Sequence, residues 1–210
     1  MKQNTAHWNS IYKTKNLTEV SWHQQKPETS LRFISNLKLK KDAKIIDVGG
    51  GNSFLVELLL ELGYTNLSVL DISEEAIKLA KEKLAAKAAQ VNWIVTDISD
   101  FKPTQKYDLW HDRAAFHFLT EEKQVLSYLN LLRHSIKAGG FVILGTFSEK
   151  GPTKCSGLKI KQYSKAEMIA VLSANFEKIQ CENLDHTTPS GQIQNFTFCS
   201  FKKRKESKEA

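Results

Sequence analysis

The fold is decided by residues 44–53, which read KIIDVGGGNS. Ile45, Ile46 and Val48 form a short apolar run that predicts a buried strand, and a run of glycines follows it directly. Glycines after the first strand of a doubly wound sheet let the backbone approach a ligand closely. The stretch therefore predicts a nucleotide-like ligand at the end of a central strand.

The rest of the chain alternates between helical and strand-like patterns, which is typical of an α/β layer fold. Helices are predicted over 27–37, 53–63, 73–90, 120–140 and 164–175, and strands over 45–48, 66–72, 91–98, 107–112, 141–147, 176–184 and 194–203. The third and fourth strands are too close in sequence for a full crossover, so a loop or one helical turn is expected between them. This order predicts a doubly wound, mostly parallel sheet of seven strands that ends in an antiparallel hairpin.

Three of the predicted helices carry start signals in the sequence. Ser73 is the expected N-cap of the helix over 73–90, and acidic residues follow it in the first turn. Thr120 is the expected cap of the next helix. Ser164 and Glu167 have the spacing of a capping box.

The composition indicates one domain. The chain has 210 residues, of which 41% are hydrophobic and 25% charged, as in ordinary globular proteins. We expect a single domain over 1–203, with an aromatic N-terminal segment over 1–26 and a basic tail over 204–210. There is no apolar run of about 18 residues and no secretory signal, so we expect no membrane association and a cytoplasmic location.

Charge and cysteine usage exclude several classes of partner. Part of the net charge of +7 lies in the tail, and elsewhere the charges are interspersed, so a nucleic-acid partner is not expected. Cys155, Cys181 and Cys199 show neither a CxxC pair nor the spacing of metal ligands. We therefore predict reduced thiols and no metal site.

Two classes of ligand use a glycine loop of this kind. A dinucleotide site has the pattern G-x-G-x-x-G, which Gly49 and Gly51 fit, but Phe54 stands at the third position and disfavours a pyrophosphate. S-adenosylmethionine has no phosphate and instead presents an ammonium, a ribose and an adenine.

Three carboxylates are placed to receive those groups. Asp47 lies inside the first strand and suits the ammonium, Asp71 ends the second strand and suits the ribose hydroxyls, and Asp97 ends the third and suits the adenine amino group. Ile72 and Ile98 are the expected neighbours of the adenine ring. Taken alone, Asp71 or Asp97 fits equally well as a cap of the element that follows.

With these residues, nearly the whole chain resembles the class I S-adenosylmethionine-dependent methyltransferases. The family's first motif, D-x-G-x-G-x-G, reads here as Asp47, Gly49, Gly51 and Ser53. The resemblance implies a Rossmann-like methyltransferase fold in which the last strand, 194–203, is antiparallel and lies between the fifth and sixth.

Within that family the chain is similar to a group of small bacterial-type enzymes, on residues 7–15, 19–31 and 112–122. It is more loosely similar to the elongation-factor lysine methyltransferases, whose D-K-G-T-F/W-D stretch is DRAAFHF in this chain. The lysine, the threonine and the second aspartate of that stretch are missing, which disfavours a transfer of the substrate.

The methyl acceptor is expected at residues 111–118, HDRAAFHF, after the fourth strand. Asp112 and His117 are the catalytic candidates. Asp112 suits a wall of the cofactor site or an acceptor for a substrate cation, and the alternatives are an ion pair with Arg113 or a cap. His117 suits a general base, because an unperturbed imidazole titrates near neutrality, and the alternative is a residue that begins a helix.

The N-terminal segment is rich in rings, with Trp8, Tyr12, Trp22 and His23. One interpretation is a lid over the cofactor, because aromatic rings exclude water and attract a sulfonium. The alternative is packing onto the edge of the sheet. Trp22 is our candidate for a cofactor contact.

The predicted function is methyl transfer from S-adenosylmethionine to a small molecule, which the lack of an added recognition domain favours. Alternatives are a protein lysine methyltransferase, a module that binds the cofactor without turnover, and a dinucleotide oxidoreductase. The oligomeric state is not predicted.

Overall fold

The computed structural model describes residues 2–205, and positions 206–210 of the predicted basic tail lie outside them. The α-helices of this range are α1 (Lys2–Thr14), α2 (Glu28–Asn36), α3 (Leu55–Glu61), α4 (Glu74–Leu84), α5 (Glu122–Ser135) and α6 (Lys165–Leu172). The strands are β1 (Lys44–Val48), β2 (Asn66–Asp71), β3 (Val91–Val95), β4 (Tyr107–Arg113), β5 (Ile136–Phe147), β6 (Lys154–Cys155), β7 (Leu158–Lys159), β8 (Phe176–Thr187) and β9 (Ile193–Lys203).

A seven-stranded sheet has the order β3-β2-β1-β4-β5-β9-β8. The strands pair in parallel from β1 to β2, from β2 to β3 and from β4 to β5, and β9 is antiparallel to β5. The short strands β6 and β7 form a separate antiparallel pair. The sheet confirms the predicted α/β fold, including the position of the antiparallel strand β9 between β5 and β8.

The chain packs as two compact units. The first runs to Lys102 and includes Thr187–Ile193, and the second comprises Pro103–His186 and the chain from Gln194 onward. The first unit therefore holds α1 to α4 with β1 to β3. The second holds α5 and α6 with β4 to β9, apart from the strand ends at the turn between β8 and β9.

The first unit forms its core because β1 and β2 are buried along almost their whole length and its helices bury one stripe each. Ile46 of β1 is fully buried, as are Ala76 and Ala80 of α4. As predicted, Ser73 caps α4, with its hydroxyl accepting a hydrogen bond from the N–H of Ala76 at 3.1 Å.

α4 ends earlier than predicted. Its last residue is Leu84, after which Ala85 takes a positive φ of 49° and residues 85–90 form a 3-10 helix. The alanine-rich composition favours helix throughout, so the break comes from the tertiary path of the chain rather than from local propensity.

The helix predicted over 120–140 is also longer than the observed helix α5. α5 begins after Glu121, which forms a capping box with Gln124, so Glu121 rather than Thr120 is the cap. It ends at Ser135, because Ile136 is extended and pairs with Tyr107 of β4. The burial of Ile136 in the sheet overrides the helical pattern. The capping box from Ser164 to Glu167 is confirmed.

The cysteines differ from the prediction of reduced thiols. Cys181 of β8 and Cys199 of β9 are joined by a disulfide, with their Cα atoms 4.1 Å apart on strands of one hairpin. Sequence spacing does not show which residues of a hairpin lie opposite one another, so the pair was missed. Cys155 is free and buried, and burial raises the pKa of its thiol to about 11. No helix within residues 2–205 has the length and apolar character needed to cross a membrane.

The disulfide predicts how many free thiols the protein contains. Protein purified without reductant and then denatured should react with one equivalent of a thiol reagent, from Cys155, because the other two sulfurs are bonded to each other. After reduction in denaturant the count should rise to three. A count of three before reduction would contradict the pairing.

Candidate functional site

Side chains lie so close to the glycine loop between β1 and α3 that a residue with a Cβ does not fit there. Gly51 has a φ of +43°, and a Cβ there would lie 2.7 Å from the hydroxyl of Tyr12 and 2.9 Å from Oδ2 of Asp71. A Cβ on Gly50 would lie 2.7 Å from Oδ2 of Asp47. These distances are below any normal contact, so the backbone itself forms the surface that the two carboxylates approach.

Asp47 and Asp71 are both buried and electrostatically coupled within the first unit. The pKa of Asp71 is raised to about 7, mainly by burial and in addition by the charge of Asp47, although backbone N–H groups act in the opposite direction. The strongest of those groups is the N–H of Ser73, which donates to Oδ1 at 2.8 Å. Two carboxylates in one buried place favour a ligand that brings positive charge and hydrogen-bond donors.

Asp97 and its apolar neighbours lie in a more open place. Asp97 is half-buried, and its Oδ1 accepts hydrogen bonds from the N–H of Ser99 at 2.9 Å and from the Ser99 hydroxyl at 2.8 Å. Asp97 thus makes the local cap that was one of its two interpretations. Ile72 and Ile98 are half-buried.

The aromatic N-terminal segment packs on α4. Oδ1 of Asn9 accepts a hydrogen bond from the hydroxyl of Ser73 at 2.7 Å, and Lys13 pairs with Glu75 at 3.2 Å. Half-buried Trp22 meets the rings of Trp8 and Tyr12 edge-on, at centroid distances of 5.7 and 6.2 Å.

Two residues of this region were not among the predicted site residues. Tyr12 reaches the glycine loop, and its place in the run of N-terminal aromatics was the available signal. Lys83, at the end of α4, donates hydrogen bonds to the carbonyls of Asn52 and Ser53. It is one of many lysines in a helix, so no signal in the sequence singles it out.

Asp112, in the second unit, is fully buried and its oxygens are occupied. Oδ1 accepts from the N–H groups of Ala115 and Phe116 at 2.9 and 3.0 Å, and Oδ2 accepts from the hydroxyl of Tyr128 at 2.6 Å. That hydroxyl in turn accepts from Nε1 of Trp110 at 2.9 Å. Burial raises the pKa of Asp112 to about 6 although these donors lower it. The structure thus has the cap, one of the interpretations left open.

His117 is fully buried in the second unit, and neither of its ring nitrogens has a hydrogen-bond partner within the described chain. Its ring lies 4.6 Å from that of Phe118 and 5.0 Å from that of Phe147, between centroids. Burial lowers the pKa of the imidazole to about 3, so it is neutral in this environment. It lies in a short 3-10 helix, Phe116–Phe118.

Comparison with known proteins establishes the family. A family model described as a methyltransferase domain matches residues 39–206. The chain therefore belongs to the methyltransferases. This confirms the resemblance to the methyltransferases that the glycine loop and the aspartates of the sequence indicated.

Individual relatives differ in what their names describe. The malonyl-[acyl-carrier protein] O-methyltransferase 2 of Ilyobacter polytropus is 32% identical over 50% of this chain, but the match spans only 39% of that relative. The EEF1A lysine methyltransferase 2 of Mus musculus is 25% identical over 81% of this chain and 70% of its own length.

Among solved structures, the N-methyltransferase NodS of Bradyrhizobium japonicum, in complex with S-adenosylhomocysteine, has a similar fold. The TM-score is 0.68 at 14% identity, over 93% of this chain and 97% of NodS. At that identity the likeness concerns the fold.

The first unit fits S-adenosylmethionine, the cofactor of this class. The loop leaves no room for a Cβ at Gly51, and the neighbouring carboxylates of Asp47 and Asp71 have the chemistry to accept hydrogen bonds from an ammonium and from hydroxyls. Oδ1 of Asn52 is buried and has no partner within residues 2–205, which leaves one more acceptor for a bound ligand. The prediction of this cofactor is therefore consistent with the residues present.

The raised pKa of Asp71 predicts a pH-dependent affinity for S-adenosylhomocysteine. Below pH 7 the free protein holds a proton on Asp71, which must leave before the carboxylate can accept from two hydroxyls. Affinity measured by calorimetry should therefore fall as pH drops below 7, by up to about tenfold per pH unit. Binding near pH 7 should also release protons, seen as a heat that depends on the buffer's ionisation enthalpy. An affinity that stays constant between about pH 5.5 and 7.5 would contradict this role of Asp71.

The network around Asp112 predicts a loss of stability in Tyr128→Phe. The variant removes the donor to a buried carboxylate and the acceptor for Trp110, so the free energy of unfolding should fall by about 1.5–3 kcal/mol. Tyr163→Phe is the matched control, because that buried hydroxyl has no partner within the described chain and its removal should not destabilise. Urea denaturation compares the two, and equal stabilities would refute the network.

Proposed function

We propose that the chain transfers a methyl group from S-adenosylmethionine to a nucleophile of a small molecule. The observation that carries the proposal is the coupled pair of buried carboxylates, Asp47 and Asp71, at a loop where Gly49 and Gly51 have positive φ. A phosphate-bearing ligand would meet repulsion there, whereas an ammonium and a ribose would be stabilised.

Each predicted residue takes a distinct role in this proposal. Asp47 accepts from the ammonium and Asp71 from the ribose hydroxyls. Asp97 accepts from the adenine amino group, while Ile72 and Ile98 flank the ring. Trp22, held edge-on by its aromatic neighbours, covers the site as a lid.

The bound cofactor supplies a methyl group made electrophilic by its sulfonium. Transfer is an in-line displacement, so the protein contributes mainly alignment and exclusion of water. The aromatic N-terminal segment serves the second purpose, and rings near a sulfonium also attract it.

The two catalytic candidates differ in what they can do with a proton. Asp112 already accepts from three donors, so we propose that it positions the turn that leads to His117. His117 has unoccupied nitrogens, and we propose that it accepts a hydrogen bond from the methyl acceptor. With a pKa of about 3 it is a weak base while buried, which favours an acceptor that needs little help to lose its proton.

A small acceptor is supported by the surroundings of His117, which are aromatic and uncharged. A protein lysine is the alternative, and the observation in its favour is that the murine elongation-factor enzyme matches most of this chain. We also propose a cytoplasmic location on the sequence grounds given above. The disulfide between Cys181 and Cys199 argues in the other direction.

Label transfer tests the proposed function. The enzyme and methyl-tritiated S-adenosylmethionine are added to a cell extract, which is then divided into protein, RNA and small-molecule fractions. Label above that of an enzyme-free extract should appear in the small-molecule fraction. Asp71→Ala should reduce it by at least about tenfold, because a hydrogen bond to a charged group is lost. Asp100→Ala is the matched control, because that aspartate is exposed.

The other outcomes assign the alternatives. Label in a protein band would replace the small acceptor by a protein lysine. Binding of S-adenosylhomocysteine without label in any fraction would indicate a module without turnover. Binding of NAD in its place would indicate an oxidoreductase.

A further inference from the structure

Lys83 connects the end of α4 to the glycine loop. Its ammonium donates hydrogen bonds to the carbonyl of Ser53 at 2.9 Å and to that of Asn52 at 3.2 Å. It also lies 3.8 Å from the centre of the Phe54 ring, within the range of a cation–π contact. One side chain therefore contacts three consecutive residues of the loop that follows Gly51.

The first part of the loop is tied to β2, because the N–H groups of Gly49 and Gly50 donate to one carbonyl of that strand at 2.8 and 3.3 Å, and the second part is tied locally. The Ser53 N–H donates to the carbonyl of Gly50 at 2.9 Å, and the Leu55 N–H donates to the Ser53 hydroxyl at 2.9 Å. Both bonds are local and turn the chain into α3. A loop with three glycines has much conformational freedom to lose. A contact from another helix, such as the one from Lys83, restricts that freedom.

We propose that Lys83 is a positioning residue, which holds the glycine loop in the shape that binds the adenosyl cofactor. This inference rests on the cofactor site proposed above. Lys83 acts through the backbone of Asn52 and Ser53, beside Gly51, where Asp71 approaches the chain. The chemistry it supplies is a fixed positive charge with several donors, which a neutral side chain of similar length lacks.

The half-buried position of Lys83 makes this function sensitive to pH. Burial lowers the pKa of its ammonium to about 8, and Glu57 of α3 acts in the opposite direction. His23 lies against the same Phe54 ring, with centroids 5.8 Å apart, and the nearby Lys87 and Glu61 pair with each other at 3.4 Å. Above pH 8 the amine is neutral and donates more weakly, so its hold on the loop should relax.

The test compares Lys83→Met, Lys83→Arg and wild type in their affinity for S-adenosylhomocysteine. Lys83→Met keeps the length but loses the charge, and we expect affinity at pH 7.5 to fall by about tenfold or more. Lys83→Arg keeps donors and charge and should retain affinity within about threefold. Lys81→Met, on the same helix but exposed, is the matched control and should bind as wild type does.

The pH profile separates positioning from a merely structural role. Between about pH 7.5 and 9.5 the ammonium of Lys83 loses its proton, whereas the guanidinium of Lys83→Arg stays charged. Wild-type affinity should therefore fall relative to that of Lys83→Arg over this interval. The ligand's own ammonium titrates alike in all the proteins, so only the difference between them counts. Hydrogen exchange without ligand gives a second readout, because the amides of Ser53 and Leu55 should exchange faster in Lys83→Met.

Each outcome has one meaning. If Asp71→Ala weakens binding and Lys83→Met does not, the positioning role is refuted while the cofactor site stands. Wild-type and Lys83→Arg profiles that coincide over the interval from about pH 7.5 to 9.5 also refute it. If wild type itself fails to bind S-adenosylhomocysteine, the proposed function fails first.

Discussion

The close approach of the Asp71 carboxylate to the backbone of Gly51 is the constraint on which the first unit depends. It requires a residue without a Cβ after β1, and it places a carboxylate directly against the backbone of the loop. The neighbouring Asp47 makes that charge harder to maintain, as the raised pKa of Asp71 shows. The surrounding contacts, from Ser73, Tyr12 and the end of α4, hold this arrangement in place.

Asp71 and Asp112 are both buried and have raised pKa values, but the groups that surround their carboxylates differ. Asp71 lies beside a second carboxylate, so the place it occupies is short of positive charge and favours a cationic ligand. Asp112 lies among donors of its own unit, the hydroxyl of Tyr128 foremost, and His111 also stabilises its charge. A raised pKa alone would have marked both as ligand-binding or catalytic, but the identity of their partners separates them.

What the sequence predicted correctly depends on short-range patterns. The strand–glycine–helix order around Gly49 and Gly51, the cap at Ser73 and the alternation of strands with helices are all local, and the sheet followed from them. The errors lie where tertiary packing decides. Ile136 leaves a helical pattern to pair in the sheet, and the disulfide depends on the register of a hairpin. Lys83 was missed for the same reason, because nothing in its neighbours along the chain shows that it reaches a loop thirty residues away.

The hydrogen bond between Asn9 and Ser73 connects the packing of α1 to the position of Asp71. The hydroxyl of Ser73 donates to Asn9, while the N–H of the same residue donates to Asp71. A ligand that steadies Asp71 thereby steadies the surface on which α1 rests, and by thermodynamic reciprocity a firmly seated α1 raises the affinity for that ligand. The amino-terminal helix would in this sense act as an intramolecular effector, and a protease that trims it would lower the affinity for that ligand.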